Sequence, residues 1–109
     1  MLKSNFTIKP LKWFNQNNYS YSHITISNII DTDIKVIPYK NIFNNIEYQV
    51  IFTNCNWGNF NNIKNNSYTK YGFKDIEEGK AWAEKEYNNS LYNCINNILY
   101  DLNKYIKEI

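Results

Sequence analysis

Residues 75–107 read DIEEGKAWAEKEYNNSLYNCINNILYDLNKYIK, and the fold of the chain turns on them. Ala83, Tyr87, Leu91, Cys94, Ile98, Leu102 and Tyr105 recur at intervals of three or four, and Ile95, Leu99 and Ile106 widen the stripe. That spacing gathers apolar side chains on one face of an α-helix, where they can be buried together. Asp75 offers a carboxylate to the free N–H groups of the first turn, Glu78 three residues on suits a capping box, and Glu77 and Glu78 suit the positive end of the helix dipole. A continuous helix over this stretch would run about 50 Å at about 1.5 Å per residue, against roughly 25–30 Å for a domain of this size. Either Asn88-Asn89-Ser90, all weak helix formers, divides it, or its second half projects. A projecting half would bury Leu91, Ile95, Ile98, Leu102 and Tyr105 against a second copy, giving a homodimer.

Upstream of the helix the period drops to two. Ile46, Tyr48, Val50 and Phe52 alternate with Glu47, Gln49 and Thr53, which predicts a half-buried strand, here expected to be the central one. Between Tyr19 and Ile30, Ile24, Ile26 and Asn28 fall on one side and Tyr19, Tyr21, His23 and Thr25 on the other. Asp31-Thr32-Asp33 reads as the turn closing that strand, and Ile34 to Ile37 as a strand that Pro38 ends or pushes to an edge. Phe6, Ile8, Leu11 and Trp13 form an extended lead-in, Asn15 to Asn18 and Asn41 to Asn45 are turns, and Tyr68 to Phe73 is a last short strand before Gly72 eases the chain into the helix. Residues 54–66 read either as a strand and loop or as one irregular excursion. The expectation is a single α+β domain over residues 1–109, with an antiparallel sheet of about four or five strands (1–73) packed against a long C-terminal helix (74–109).

The basic residues are all lysine, 12 of them, and asparagine, isoleucine and tyrosine crowd the chain. These residues share A/T-rich codons, so most of the asparagine reads as nucleotide bias of the source genome. Residues 1–73 carry seven lysines against three acids and residues 74–109 five lysines against seven acids, so the sheet half is mildly basic and the helix half mildly acidic. A dense basic stripe and the forked arginine contacts usual in nucleic-acid binders are both missing from the sequence. Cys55 and Cys94 lack partners at metal-ligand spacing and are too few for a disulfide framework, which predicts buried reduced thiols. No apolar stretch suits a signal peptide or a membrane span, and the protein is expected in the cytoplasm, away from membranes.

His23, the one histidine, has no serine or cysteine nucleophile motif to serve. Asp31 and Asp33 lack a third oxygen ligand at calcium-loop spacing, and Gly58, Gly72 and Gly79 are not spaced to cradle a phosphate. Glu77, Glu78, Glu84 and Glu86 suit solvated pairs with Lys80 and Lys85 better than paired catalytic carboxylates. No catalytic residue, metal ligand or cofactor is therefore expected, and a binding protein is favoured over an enzyme. The aromatic residues make up 17 % of the chain. Trp13, Phe52, Phe73 and Trp82 are the candidates for the core. Tyr19, Tyr21, Tyr39, Trp57, Phe60 and Tyr68 fall on polar faces or loops, and with His23 and Lys35 they form the candidate binding set. Aromatics beside lysines either stack on bases or anchor a protein interface, unless they simply sit half buried.

The segment from Phe73 to Tyr87, with Phe73, the cap at Asp75, the acid pair Glu77-Glu78, then Lys80-Ala81 and Trp82, resembles the closing segment of a set of small phage and prophage proteins. In that pattern a Leu-x-Trp start, here Leu11-Lys12-Trp13, opens a strand meander, and a strand such as Tyr48 to Phe52 precedes the helix. The resemblance covers about half the chain; Gly79 stands where an alanine is usual, and the helix continues past the usual end. It implies an accessory protein of a mobile element that inhibits a host defence protein or complex stoichiometrically, an anti-CRISPR or other anti-defence role. The residues leave open, as the alternative, a module for nucleic acid or a signalling nucleotide.

Overall fold

A computed structural model describes residues 6–26, 30–55, 57 and 66–107. The chain forms β1 (Phe14–Asn15), β2 (Ser20–Ile26), β3 (Ile30–Lys40), β4 (Ile46–Thr53), β5 (Ser67–Phe73) and α1 (Ile76–Leu102). The strands make one five-stranded sheet in chain order, every neighbouring pair antiparallel. This is an α+β fold in which the helix lies across one face of the sheet, packed on β3, β4 and β5.

Strand alternation divides the sheet into two faces. Ile34 and Val36 of β3 and Val50 and Phe52 of β4 point to the helix and are fully buried. They meet Gly79, Ala83, Tyr87 and Leu91, the buried side of α1, with Phe73 closing the end nearest the helix start. Trp13 and Trp82 pack against this core without being fully buried. Trp82 stands edge-on to Phe52 at 6.1 Å and lies 5.5 Å from Phe73, so the aromatic candidates do converge on one core.

Asp75 caps the helix as its sequence suggests: its backbone is extended and Oδ1 accepts from the Glu78 N–H at 2.8 Å. Asn88, Asn89 and Ser90 do not break the helix. Ser90 is buried, and α1 runs unbroken for 27 residues, about 40 Å. The molecule is 62 Å in its longest dimension against 25 and 20 Å in the others. The helix stops at Leu102, with Asn103 as its C-cap, five residues short of the predicted end at Lys107.

Three further expectations are corrected. Asp31-Thr32-Asp33 is not a turn but the start of the long strand β3, which lies between β2 and β4 and is the central strand in place of β4. Pro38 lies within β3, opposite Tyr48. The partner β2 begins at Ser20 opposite Val36, so beyond Val36 the strand has a neighbour on one side only, the situation that tolerates proline. Glu84 is no solvated acid. Its Oε1 accepts from the Leu11 N–H at 3.0 Å and from the Trp13 indole N–H at 2.9 Å. Lys80, one turn earlier, sits 5.6 Å from the centre of the Trp13 ring and donates to Asn15 Oδ1 at 3.1 Å. This pair stitches the lead-in to the helix, over Ser20 and Ser22, which are buried and donate to Asn15 Oδ1 and the Lys12 carbonyl.

Replacing Glu84 by Ala leaves two donors without their charged acceptor. A cost of about 1.5–3 kcal/mol is expected, with faster amide exchange at Leu11 measured by NMR. Glu84→Gln, which keeps one acceptor oxygen, should lose less. Unchanged protection of the Leu11 amide in Glu84→Ala would sink this account of the lead-in.

Candidate functional site

The sheet face turned away from α1 is built by the register in cross-strand rows. One row runs Phe14, Tyr21, Lys35, Ile51, Thr69 across all five strands. The next, on the side of the β2–β3 connection, runs His23, Asp33, Thr53, Ser67. On the other side lies Ile37 opposite Gln49, and then Tyr39 opposite Glu47. Each residue is two positions along its strand from the corresponding one in the adjoining row, which is why all project from one face.

At the β1–β2 end, Phe14 stacks on Tyr21 at 5.1 Å with planes 20° apart, and Tyr19 stacks on the same ring at 6.4 Å. Lys12 Nζ stands 5.5 Å from the Phe14 ring. Beside these rings a shallow depression of about 580 Å³ is lined by Tyr19, Tyr21, Asp33, Lys35 and Ile37. Farther along, Tyr39 meets Tyr71 edge-on at 5.4 Å and donates its hydroxyl to Glu47 at 2.9 Å. Loss of water, and then that hydrogen bond, push the Tyr39 phenol above its ordinary 10.0.

His23 is held between two carboxylates. Its Nδ1 lies 2.6 Å from Asp33 Oδ1, and its Nε2 lies 2.8 Å from both Asp31 Oδ1 and Thr25 Oγ1. The hydrogen bond to Asp33 raises the His23 pKa above its ordinary 6.5; partial desolvation opposes it, and the charges of Asp33 and Asp31 add to the rise. The stabilisation this gives is fully present below about 6.5 and is lost as pH rises through the folded value. Among the described residues no group of three His, Cys, Asp or Glu side chains is placed to hold a metal ion.

Of the binding set read from sequence, Tyr19, Tyr21, His23, Lys35 and Tyr39 share the open face. Trp57, in the loop after β4 as read, and Tyr68, in β5, both pack on the covered side, so neither joins the open face. The Trp57 indole donates to Thr32 Oγ1 at 2.6 Å, and that hydroxyl donates to the Asn54 carbonyl at 2.8 Å. Tyr68 lies 6.4 Å from Phe52 and 5.7 Å from Trp82. Phe60 lies outside the described residues. Phe14, Ile37 and Ile51 belong to the open face and were missed; for Ile37 and Ile51 the signal available was the two-residue period itself, two positions from Lys35 and from Gln49, while β1 is too short to show a period.

The residues assigned to a dimer seam divide likewise. Leu91 is buried in the chain's own core and Ile95 packs partly against it. Ile98 and Leu102 are exposed on the overhanging end of α1, and Tyr105 lies past the helix end, 87 % exposed. Cys55 is buried and Cys94 only half-buried; both are free thiols, and burial pushes both above their ordinary range. No described helix is long and apolar enough to cross a membrane.

Fold and face together define a class: an antiparallel sheet with one side sealed by a helix and the other uncovered among the described residues. The chain matches no protein-family model, no curated protein and no solved structure.

Proposed function

We propose that the protein is a binding module that docks a partner protein on the open sheet face, and that it serves as a mobile-element accessory protein inhibiting a host defence factor stoichiometrically. The observation that carries this reading is the cross-strand row Phe14, Tyr21, Lys35, Ile51, which sets rigid aromatic and aliphatic groups beside a lysine on a face that no other described element covers. Aromatic anchors on a rigid sheet lose little side-chain freedom on binding, the property that makes them interface hot spots.

The charge of this face favours a protein over a polynucleotide. Asp31, Asp33 and Glu47 share it with Lys35 and His23, and Lys12 stands at its rim. Among the described residues the other lysines of the sheet half lie elsewhere: Lys9 in the lead-in, Lys40 at the end of β3, and Lys70 opposite Val50. A phosphate backbone would meet as many acids as bases.

The test is phage plating on a CRISPR-immune host expressing the protein. Wild type is expected to raise plating efficiency. Tyr21→Ala combined with Lys35→Glu, checked by circular dichroism to keep its fold, is expected to weaken partner binding about tenfold or more and to lose the effect. Unchanged plaque formation with wild type would defeat the inhibitor reading, and full activity of the double variant would remove the open face as the docking surface.

A further inference from the structure

We infer that the depression beside Tyr21 is an anchor for an acidic side chain of the partner, carried next to an aromatic one, and that His23 sets its strength by neutralising the carboxylates beside Lys35. The inference rests on the docking reading above and assigns to that face the chemistry of what it holds.

Lys35 lines the depression and lies opposite Tyr21 on one neighbouring strand and Ile51 on the other. No ion pair holds it among the described residues, whereas Lys74, Lys80 and Lys104 each face an acid. Tyr19, Tyr21 and Ile37 wall the same space with apolar surface. A cation flanked by rings and an aliphatic chain complements a carboxylate with an adjacent planar group; a second cation would meet Lys35 head-on.

Asp33 also lines the depression, two residues from Lys35 on the same face of β3. Left alone it would draw Lys35 to itself and repel an incoming carboxylate. His23 prevents this. With both ring nitrogens facing carboxylate oxygens, at 2.6 Å from Asp33 and 2.8 Å from Asp31, the arrangement is satisfied only when both nitrogens carry protons. The imidazolium then offsets one of the two aspartate charges. When it loses a proton, one nitrogen presents a lone pair to a carboxylate, and the cluster beside Lys35 gains a full negative charge. The groups facing His23 are Asp31, Asp33 and Lys35 from β3 and Thr25 and Tyr21 from its own strand; Lys12, at the rim, stands over Phe14. The raised pKa of His23 is in keeping with this arrangement.

The experiment titrates the full chain with the peptide Ac-Glu-Phe-Glu-NH2, and separately with Ac-Gln-Phe-Gln-NH2, following amide shifts by NMR. The acidic peptide should shift the resonances of Tyr21, Lys35 and Ile37 and bind roughly two- to fivefold more tightly than its amide counterpart, the range of one exposed charge pair. Between about pH 6 and about pH 9 the peptide's carboxylates stay ionised, so a fall in its affinity reports the protein. His23→Gln should erase that fall, and Lys35→Gln should erase the preference for the acidic peptide. Equal binding of the two peptides at these residues would overturn the acidic anchor while leaving the docking reading intact. Shifts confined to other surfaces would count against both, and a wild-type affinity that ignores pH would overturn the role of His23. Tighter binding of AMP than of the acidic peptide at the same residues would replace the protein carboxylate with a nucleotide phosphate and overturn the inference.

Discussion

Phe52→Ala is expected to lower the free energy of unfolding by about 3–5 kcal/mol, the range for truncating a fully buried aromatic. Phe52 has no exposed surface and sits opposite both Ile34 of β3 and Tyr68 of β5, with Trp82 of the helix standing edge-on above it. It is where three strands and the helix meet. Neighbours on a sheet are held by their hydrogen-bonded ladders and cannot collapse into the space, so most of the cavity should persist. A domain of this kind has about 5–15 kcal/mol in total, so the variant is expected near the edge of folding. Urea unfolding followed by far-ultraviolet circular dichroism measures it, and a loss below about 1 kcal/mol would mean that the core lies elsewhere. Phe52→Leu, which keeps much of the volume, should cost less.

Gly79→Leu should be nearly as damaging for the opposite reason, an excess of atoms. A Cβ at Gly79 would lie 2.7 Å from Val36 Cγ1 and 3.3 Å from Val50 Cγ2, and both valines are fully buried side chains of the two middle strands of the core. The helix comes close to the sheet here because the residue has no side chain. Alanine would add about 1 kcal/mol of helix propensity but must push Val36 aside, and overpacking of this kind costs about 1–3 kcal/mol, so Gly79→Ala should come out neutral to destabilising. Leucine adds three more carbons against the same wall and should cost about 3 kcal/mol or more. The diagnostic is the double variant Gly79→Ala with Val36→Ala. Removing the opposing methyl groups should make the pair less destabilised than the sum of the two single changes, whereas strict additivity in urea unfolding would show that the two residues are not in contact.

Gly79 also shows where sequence reading reached and where it stopped. The helix start was legible because Asp75 acts on a backbone N–H three residues away, a local interaction, and β4 was legible because its alternation is unbroken. The helix stripe was legible as a period, but not the small residues Gly79 and Ser90 within its buried side, since their burial depends on what the sheet presents opposite them. β3 was hidden because its first residues look like a turn. Thr32 is a buried strand residue whose hydroxyl is satisfied by Asn54 and Trp57, partners 22 and 25 residues away. The many asparagines, read as codon bias, include Asn44, Asn54 and Asn66 at positive φ, where asparagine is among the few side-chain-bearing residues at ease. Asn41 accepts from the Phe43 and Asn45 N–H groups across the β3–β4 turn. On the candidate site, alternation set Tyr19, Tyr21 and His23 on one face of β2, whereas Lys35 and Tyr39 were joined to them by residue type alone. Trp57 and Tyr68 went astray because nothing local tells which side of a sheet a loop or last strand will favour.

The rows that alternate between the two faces also separate two kinds of evolutionary constraint. Val36 and Lys35 are adjacent in the chain, yet one is sealed under the helix and the other meets the outside. Substitutions on the open face displace no atom of the buried core, and away from special contacts such changes alter stability by only a few tenths of a kcal/mol, about 0.5 at most. On the docking reading proposed above, Tyr21, Lys35 or Ile51 can be exchanged to suit a new partner while the helix side stays fixed. The sheet would then serve as a replaceable printing plate on a permanent press.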